Sequence, residues 1–137
     1  MIRPIMRMTF FLQQPSEAAT PDDLPIAQDL IDTLESHRAT CVGMAANMIG
    51  QRKRIIAVLD DGGRTIAMLN PTLEWGKDEY EAQEGCLSLD GTRPARRFRR
   101  IRVSWLDTGL QPHAQTFCGG VAQAIQHELD HCNGILI

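Results

Sequence analysis

Apolar residues recur at helical spacing in two segments, one near each end of the chain. The first segment follows Thr20, which can cap a helix, and Pro21, which suits the first helical position. Its apolar stripe consists of Leu24, Ala27, Leu30, Ile31 and Leu34. This spacing predicts an N-terminal amphipathic helix that ends near Ser36.

The second segment begins at Gly119-Gly120 and stops at Asn133-Gly134, a typical C-terminal signal of a helix. Its predicted buried side carries Val121, Ala122, Ile125, Leu129 and Cys132. The pattern therefore predicts a C-terminal helix with one face against the core.

Between the two helices, short apolar runs alternate with turn signals. Ile55–Leu59 and residues 65–69 flank Asp60-Asp61-Gly62-Gly63, which predicts a β-hairpin. Asn70-Pro71 is expected to break the second strand, and another strand is expected to start within residues 72–75.

Two later segments also have strand character. Ile101, Val103 and Trp105 alternate with polar residues, and residues 115–117 form a weaker candidate. Strands placed between an early and a late helix predict an α+β fold. A chain of 137 residues has the size of one domain, so we assign residues 1–137 to a single domain.

Composition narrows the functional classes. Hydrophobic residues make up 43% and aromatic residues 5% of the chain, which predicts a mostly aliphatic core. A net charge of -3 argues against binding of nucleic acid through overall electrostatic attraction. No apolar run approaches the roughly 18–20 residues that cross a bilayer, so no membrane association is expected. The four cysteines form no CxxC pair, which is typical of a reduced, cytoplasmic protein.

The predicted C-terminal helix contains an HExxH sequence, His127-Glu128-Leu129-Asp130-His131. Residues four apart lie on the same helix face, so His127 and His131 can direct ring nitrogens at one metal ion. Glu128 is placed to accept a proton from a water molecule on that ion. The alternative is a solvated helix face, but Ile125 and Leu129 place this segment against the core, where unpaired imidazoles are costly.

Two histidines do not complete a metal site, and the residues after His131 include no further carboxylate or histidine. His37 and His113 are expected at the surface, in a helix end and a Pro-containing turn. Cys86 in Glu84-Gly85-Cys86-Leu87-Ser88 is the best remaining candidate, because the neighbouring glycine permits an unusual backbone path. One thiolate and two imidazoles leave a fourth position for water, which is a catalytic arrangement.

With these motifs the chain resembles the peptide deformylase family, metallohydrolases that remove the formyl group from the N-terminal methionine of new bacterial proteins. The likeness rests on Gly43-Met44-Ala45-Ala46, Glu84-Gly85-Cys86-Leu87-Ser88 and His127-Glu128-Leu129-Asp130-His131, in the family's order. It implies an α+β fold with antiparallel strands packed around the C-terminal HExxH helix. It also implies a cytoplasmic role in protein biosynthesis.

The resemblance implies a role for each motif. Cys86, His127 and His131 would hold one divalent metal ion, commonly Fe²⁺, with Zn²⁺ or Ni²⁺ as substitutes. Water on that ion would attack the formyl carbon of an N-formyl-methionyl peptide or nascent chain, while Glu128 takes and later donates the proton. The backbone N–H of Leu87 would help to stabilise the oxyanion.

The resemblance also suggests where the peptide binds. Val42, Gly43 and Met44 should line the substrate edge, and Arg93 aligns with a position near the bound peptide. The wall for the methionine side chain would include His127 and Ile125. Each of these residues could instead be ordinary core packing.

The chain departs from the family pattern at one position with a chemical consequence. Met48 stands where the family has a glutamine whose amide donates to the oxyanion, and a thioether has no hydrogen to donate. Asn47 could replace that donor only if the backbone turned by one residue. A deformylase-like metal- or peptide-binding protein with weak or no activity is therefore the alternative, and peptidase action through HExxH is a third hypothesis.

An arginine-rich stretch comprises Arg93, Arg96, Arg97, Arg99, Arg100 and Arg102. Only Phe98 interrupts it as an aromatic residue, so we interpret it as a solvated loop and strand face and not as a specific nucleic-acid site. A weak ribosome contact stays open for an enzyme of nascent chains. Many family members have a further C-terminal helix, and a second copy of this chain could cover the corresponding surface as a homodimer.

Overall fold

Three α-helices and two short 3₁₀ helices form the helical part of the protein, and a computed structural model describes residues 1–137. The α-helices are α1 (Thr9–Leu12), α2 (Leu24–Ser36) and α3 (Gly119–Cys132). The 3₁₀ helices span Pro21–Asp23 and Ala46–Ile49. None of the helices is both long and apolar enough to span a bilayer.

Five antiparallel strands form one sheet in the order of the chain, β1-β2-β3-β4-β5. The strands are β1 (Gly43–Ala45), β2 (Ile55–Leu59), β3 (Thr65–Cys86), β4 (Leu89–Leu106) and β5 (Pro112–Cys118). The predicted α+β class is thus confirmed, with an antiparallel sheet and a C-terminal helix.

The sheet is packed between α2 and α3, because its second strand, β2, is apolar on both faces. Ile56 and Val58 pack in a cluster with Ile125 of α3, whereas Ile55 and Ala57 pack in a second cluster with the buried residues of α2. Side chains alternate across a strand, so one short apolar run serves both helices. The side of the sheet that faces α3 is the side on which the HExxH motif lies.

Local sequence signals set the ends of both long helices. The backbone N–H of Thr20 donates to Asp23 Oδ2 at 2.8 Å, and this turn leads directly into α2. At the other end of the chain, Gly134 has a φ of 74°, a left-handed conformation that glycine adopts without cost and that stops α3.

The predicted strand break at Asn70-Pro71 is wrong. Strand β3 continues through it to Cys86, with a register shift between Leu69 and Thr72. Asn70 has a φ of 52°, and its side-chain amide both accepts from Ala19 N and donates to Ala19 O. The turn-forming pair therefore makes a bulge in one long strand, stabilised by contacts from a distant part of the chain.

Candidate metal centre and cavity

A strand end and a helix face bring three possible metal ligands together. Cys86 is the last residue of β3, and His127 and His131 lie one turn apart on α3. The Nε2 atoms of the two histidines are 3.1 Å apart, and Cys86 Sγ lies 3.4 Å from His131 Nε2. All three ligand atoms lie within 4.8 Å of one another. The predicted convergence of one thiol with two imidazoles is therefore observed.

These distances suit a single ion. Two imidazole nitrogens bonded at about 2.0–2.1 Å to a tetrahedral ion are separated by about 3.3 Å, close to the separation of the two Nε2 atoms. His131 is fully buried and His127 is 7% exposed. Burial lowers the pKa of His131 to about 3, so this imidazole is neutral and its nitrogen lone pair is free to bind a metal.

Glu84 holds the ring of His127 from behind. His127 Nδ1 lies 2.9 Å from Glu84 Oε1, which leaves Nε2 directed at Cys86 and His131. Glu84 and Cys86 are two residues apart on β3, so their side chains lie on the same face. Burial opposes ionisation of Glu84, but hydrogen bonds from His127, Arg97 and Gln123 outweigh it and lower its pKa to about 2.

Burial also disfavours a charged His127, yet its contacts with Cys86 and Glu84 dominate and raise the pKa of this imidazole to about 10 without a metal. A proton on Nδ1 that is shared with a carboxylate is the usual way to orient a metal-binding histidine. Glu84 thus fixes the direction of His127, and it would also fix the tautomer once Nε2 has given up its proton to a metal ion.

Arg97 anchors this arrangement, contrary to the expectation that the arginine-rich stretch is solvated throughout. Its side chain is only 5% exposed, and it donates to Glu84 Oε1 at 2.6 Å and to Asp130 Oδ2 at 2.7 Å. Arg96, Arg99 and Arg100 are exposed, as predicted for that face. Arg97 differs because β4 turns its side chain toward α3, where two carboxylates neutralise its charge.

Glu128 is the buried carboxyl group of the site. It is 4% exposed, and its Oε1 atom has no hydrogen-bond partner. Burial raises its pKa to about 7, which suits a group that takes up and returns a proton near neutral pH. It lines the same cavity as Cys86 and His127, which places this carboxyl beside the ligand cluster.

A cavity of about 530 Å³ opens onto the cluster. Its walls come from β1 and the segment before it, from the end of β3 with the following turn, and from α3. Among the residues predicted for the site, those that line the cavity are Val42, Gly43, Met48, Cys86, Leu87, His127 and Glu128.

Four of the residues considered for substrate or oxyanion binding lie outside the cavity wall. Met44 is fully buried in the apolar cluster that contains α2, and Ile125 is fully buried in the cluster on the other side of the sheet. Neither residue lines the cavity. Arg93 also lies outside the cavity walls, where its Nη1 donates to Asp90 O at 2.9 Å. Asn47 does not replace the missing amide, because its Nδ2 donates to His131 O at 3.0 Å.

The cavity wall on α3 also includes three residues that the sequence analysis did not assign to the site. Gly120, Gln123 and Ala124 line the cavity with His127. They precede His127 by seven, four and three residues, so helical spacing from the HExxH motif was a signal that could have found them. Gln123 Nε2 also donates to Glu84 Oε2 at 2.9 Å. This residue of the cavity wall therefore contacts the carboxylate that orients His127.

An antiparallel sheet that delivers a cysteine to an HExxH helix, beside a buried carboxyl and an open cavity, defines a metal-dependent hydrolase. Comparison with known proteins gives the same class. The family model described as "Polypeptide deformylase" matches residues 5–137. A peptide deformylase of Clostridium beijerinckii is 46% identical over 137 residues, which cover all of both chains.

Solved structures agree with the sequence comparison. A crystal structure of a peptide deformylase from Legionella pneumophila has a TM-score of 0.88 at 32% identity, covering 99% of this chain and 83% of that one. An actinonin-bound class I type b peptide deformylase from Acinetobacter baumannii has a TM-score of 0.86 at 25% identity, covering 98% and 94%. The chain belongs to the peptide deformylase family, whose members are hydrolases that use a divalent metal ion.

Proposed function

We propose that this protein removes the N-formyl group from N-formyl-methionyl peptides of nascent proteins in the cytoplasm. The observation that carries the proposal is the convergence of Cys86, His127 and His131, with Cys86, His127 and Glu128 in the wall of one open cavity. The close relationship to peptide deformylases over the whole chain supports an enzyme and does not favour the alternative of a binding protein.

Cys86, His127 and His131 would hold one divalent ion, and we propose Fe²⁺ as the ion used in the cell, with Zn²⁺ or Ni²⁺ as substitutes. When bound, the ion polarises the carbonyl group and lowers the pKa of its water toward neutrality. The ligand set fits this role because the three side chains leave one position free for solvent or substrate.

Glu128 acts as the general base and acid. Its carboxylate takes a proton from the attacking water as the new C–O bond forms at the formyl carbon. When the C–N bond breaks, Glu128 gives that proton to the departing nitrogen, so the products are formate and a free N-terminal amine. A pKa raised toward neutral pH by burial supports both steps.

Backbone groups on both walls of the cavity would bind the substrate. We propose that the N–H of Leu87 donates to the formyl oxygen as negative charge develops on it. Val42 and Gly43 form the opposite wall, where an extended peptide can lie along the chain before β1. Met48 lines the same cavity but has no donor, so the oxyanion is bound with one hydrogen bond fewer than the family pattern provides.

Release of formate from a formyl-methionyl peptide tests the proposal. Protein loaded with Fe²⁺ under anaerobic conditions should release formate, and the Glu128→Gln variant, which keeps the shape but removes the base, should lose nearly all of this activity. Cys86→Ala should lose both metal and activity. Formate release by the wild type at the rate of Glu128→Gln would exclude the proposed reaction.

Three further proposals concern the domain structure, a contact with the ribosome and the oligomeric state. Residues 1–137 form one domain, supported by the family match over residues 5–137. A weak contact with the ribosome is supported by the exposed side chains of Arg96, Arg99 and Arg100 on β4. A homodimer stays a prediction from sequence. Co-sedimentation with ribosomes and the mass of the protein in solution test the last two.

A further inference from the structure

The turn that carries Cys86 and Leu87 is held by a residue from the distant N-terminal segment. Only Leu87 and Ser88 connect β3 to β4. Arg7 Nη1 donates to Leu87 O at 2.8 Å, and Arg7 Nη2 donates to Asp90 Oδ1 at 2.7 Å. One guanidinium group therefore binds both sides of this turn.

The turn needs such support because the strand pairing is irregular next to it. Cys86 pairs with Leu89, but Gly85 already pairs with Thr92, so Asp90 and Gly91 have no partner on β3. Gly91 has a φ of 73°, which is typical of a bulge. The pairing of β3 with β4 alone thus leaves the turn loosely fixed. Arg7 supplies the missing contacts, and Arg93 adds a further one by donating to Asp90 O.

The same N-terminal segment also contacts the other wall of the cavity. The backbone N–H of Met6 donates to the carbonyl oxygen of Met48 at 2.7 Å. Met48 and Leu87 line the cavity from different parts of the fold. Residues 6 and 7 therefore connect the two walls directly.

We propose that Arg7 is a positioning residue, which fixes the Cys86–Ser88 turn and thereby the direction of the thiol and of the Leu87 N–H. The effect on turnover rests on the proposed function, whereas the effect on metal retention rests only on Cys86 as a ligand. The Arg7 side chain is 54% exposed and that of Asp90 96% exposed, so added salt should weaken their attraction.

Zinc release separates this role from general stabilisation. Zinc-loaded wild type, Arg7→Ala and Arg7→Lys are mixed with a chromogenic chelator at low and high salt, and the release rate is measured. Arg3→Ala is the matched control, because Arg3 lies in the same segment, is similarly exposed and pairs with Asp29 of α2. We expect Arg7→Ala to release zinc about 10-fold faster, as for residues that orient a ligand, and Arg3→Ala to resemble wild type.

The two arginine variants should also differ from each other. The rate of zinc release from Arg7→Lys should lie between those of wild type and Arg7→Ala. A lysine ammonium group does not reproduce the planar geometry with which a guanidinium group donates to two acceptors. High salt should accelerate release from wild type and leave Arg7→Ala unchanged. Equal release from Arg7→Ala and Arg3→Ala at both salt concentrations overturns the proposal, as does a release rate that simply follows the melting temperature of all variants.

Turnover of a formyl-methionyl peptide provides the second readout. Arg7→Ala should lower kcat with little change in KM, because the Leu87 N–H acts on charge that develops only in the reaction. A change in KM alone overturns the positioning role. If wild type releases no formate, the proposed function fails, while the zinc measurements still decide whether Arg7 fixes the turn.

Discussion

Gly43 faces Glu128 so closely that a Cβ atom on residue 43 would lie 2.9 Å from Glu128 Oε2 and 3.3 Å from its Cγ. The same atom would lie 3.2 Å from Val58 Cγ1, so it could not move away toward β2. Strand β1 therefore leaves room for the carboxyl group of α3 only because residue 43 has no side chain.

Gly43→Ala should displace the Glu128 carboxyl and lower kcat/KM for formate release by about 10²-fold, the effect of a misplacement of about 1 Å. Zinc binding should stay unchanged, because the three atoms nearest the added Cβ belong to Glu128 and Val58 and not to a metal ligand. Gly120→Ala is the matched control, since Gly120 lines the same cavity but has no atom within 4 Å of an added Cβ. Equal activity of the two variants would contradict this explanation.

Met48→Gln should raise kcat. The Sδ atom of Met48 accepts from Ala45 N at 3.5 Å, and a glutamine oxygen can accept the same bond while its amide nitrogen is free to donate into the cavity. An added oxyanion donor is expected to increase turnover by about 10²-fold. Steady-state kinetics should show no such gain for Met48→Leu, which has a similar volume and no donor. An unchanged kcat in Met48→Gln would mean that another group already fills this role.

Arg97→Met should destabilise the metal-free protein by about 3 kcal/mol, because it removes the buried cation that Glu84 and Asp130 share. Arg96→Met removes a neighbouring arginine that pairs with Glu79 at the surface, where its side chain is 74% exposed. Arg96→Met should lower the free energy of unfolding by about 1 kcal/mol or less. Urea unfolding gives both free energies, and similar values for the two variants would refute the buried network.

Acid should remove the contribution of Glu84 to stability. Its pKa is lowered from 4.5 to about 2, so the ionised form stabilises the fold above pH 4.5 and the benefit is lost as pH falls toward 2. This shift corresponds to about 3 kcal/mol. In the metal-free protein, Glu84→Gln should be less stable than wild type near pH 6, and the difference should shrink toward pH 2 in urea unfolding. A difference that stays constant with pH would assign the effect to packing.

Local patterns were sufficient for the elements whose signals lie close together in sequence. The Thr20–Asp23 turn, the apolar stripe behind it and the Asp60–Gly63 turn lie in or next to the elements that they define, so α2 and the β2–β3 hairpin could be predicted, although α2 begins at Leu24 and not at Pro21. The two histidines of the HExxH motif share one helix face by spacing alone. The position of Cys86 beside them was also predicted, because the chain offered few other candidate ligands, and its sulfur does lie there.

Long-range contacts account for what the sequence did not predict. The outer part of the β3–β4 hairpin is mostly exposed and polar, so it has no apolar alternation to mark it as strand. Met44 is in the core because β1 is buried on both faces, a pattern without a polar side. Arg97 is buried only because Glu84 and Asp130, far away in sequence, neutralise it.

The long hairpin also limits how this chain can vary in length. Tyr80, Glu84 and Cys86 are an even number of residues apart on β3, and Tyr80 and Glu84 both contact Gln123 of α3. Deleting one residue between Tyr80 and Cys86 would turn the sulfur to the opposite face of the sheet. Insertions and deletions there should therefore preserve the site only if they involve an even number of residues or a compensating bulge. Changes in length at the Asp60–Gly63 turn are not restricted in this way.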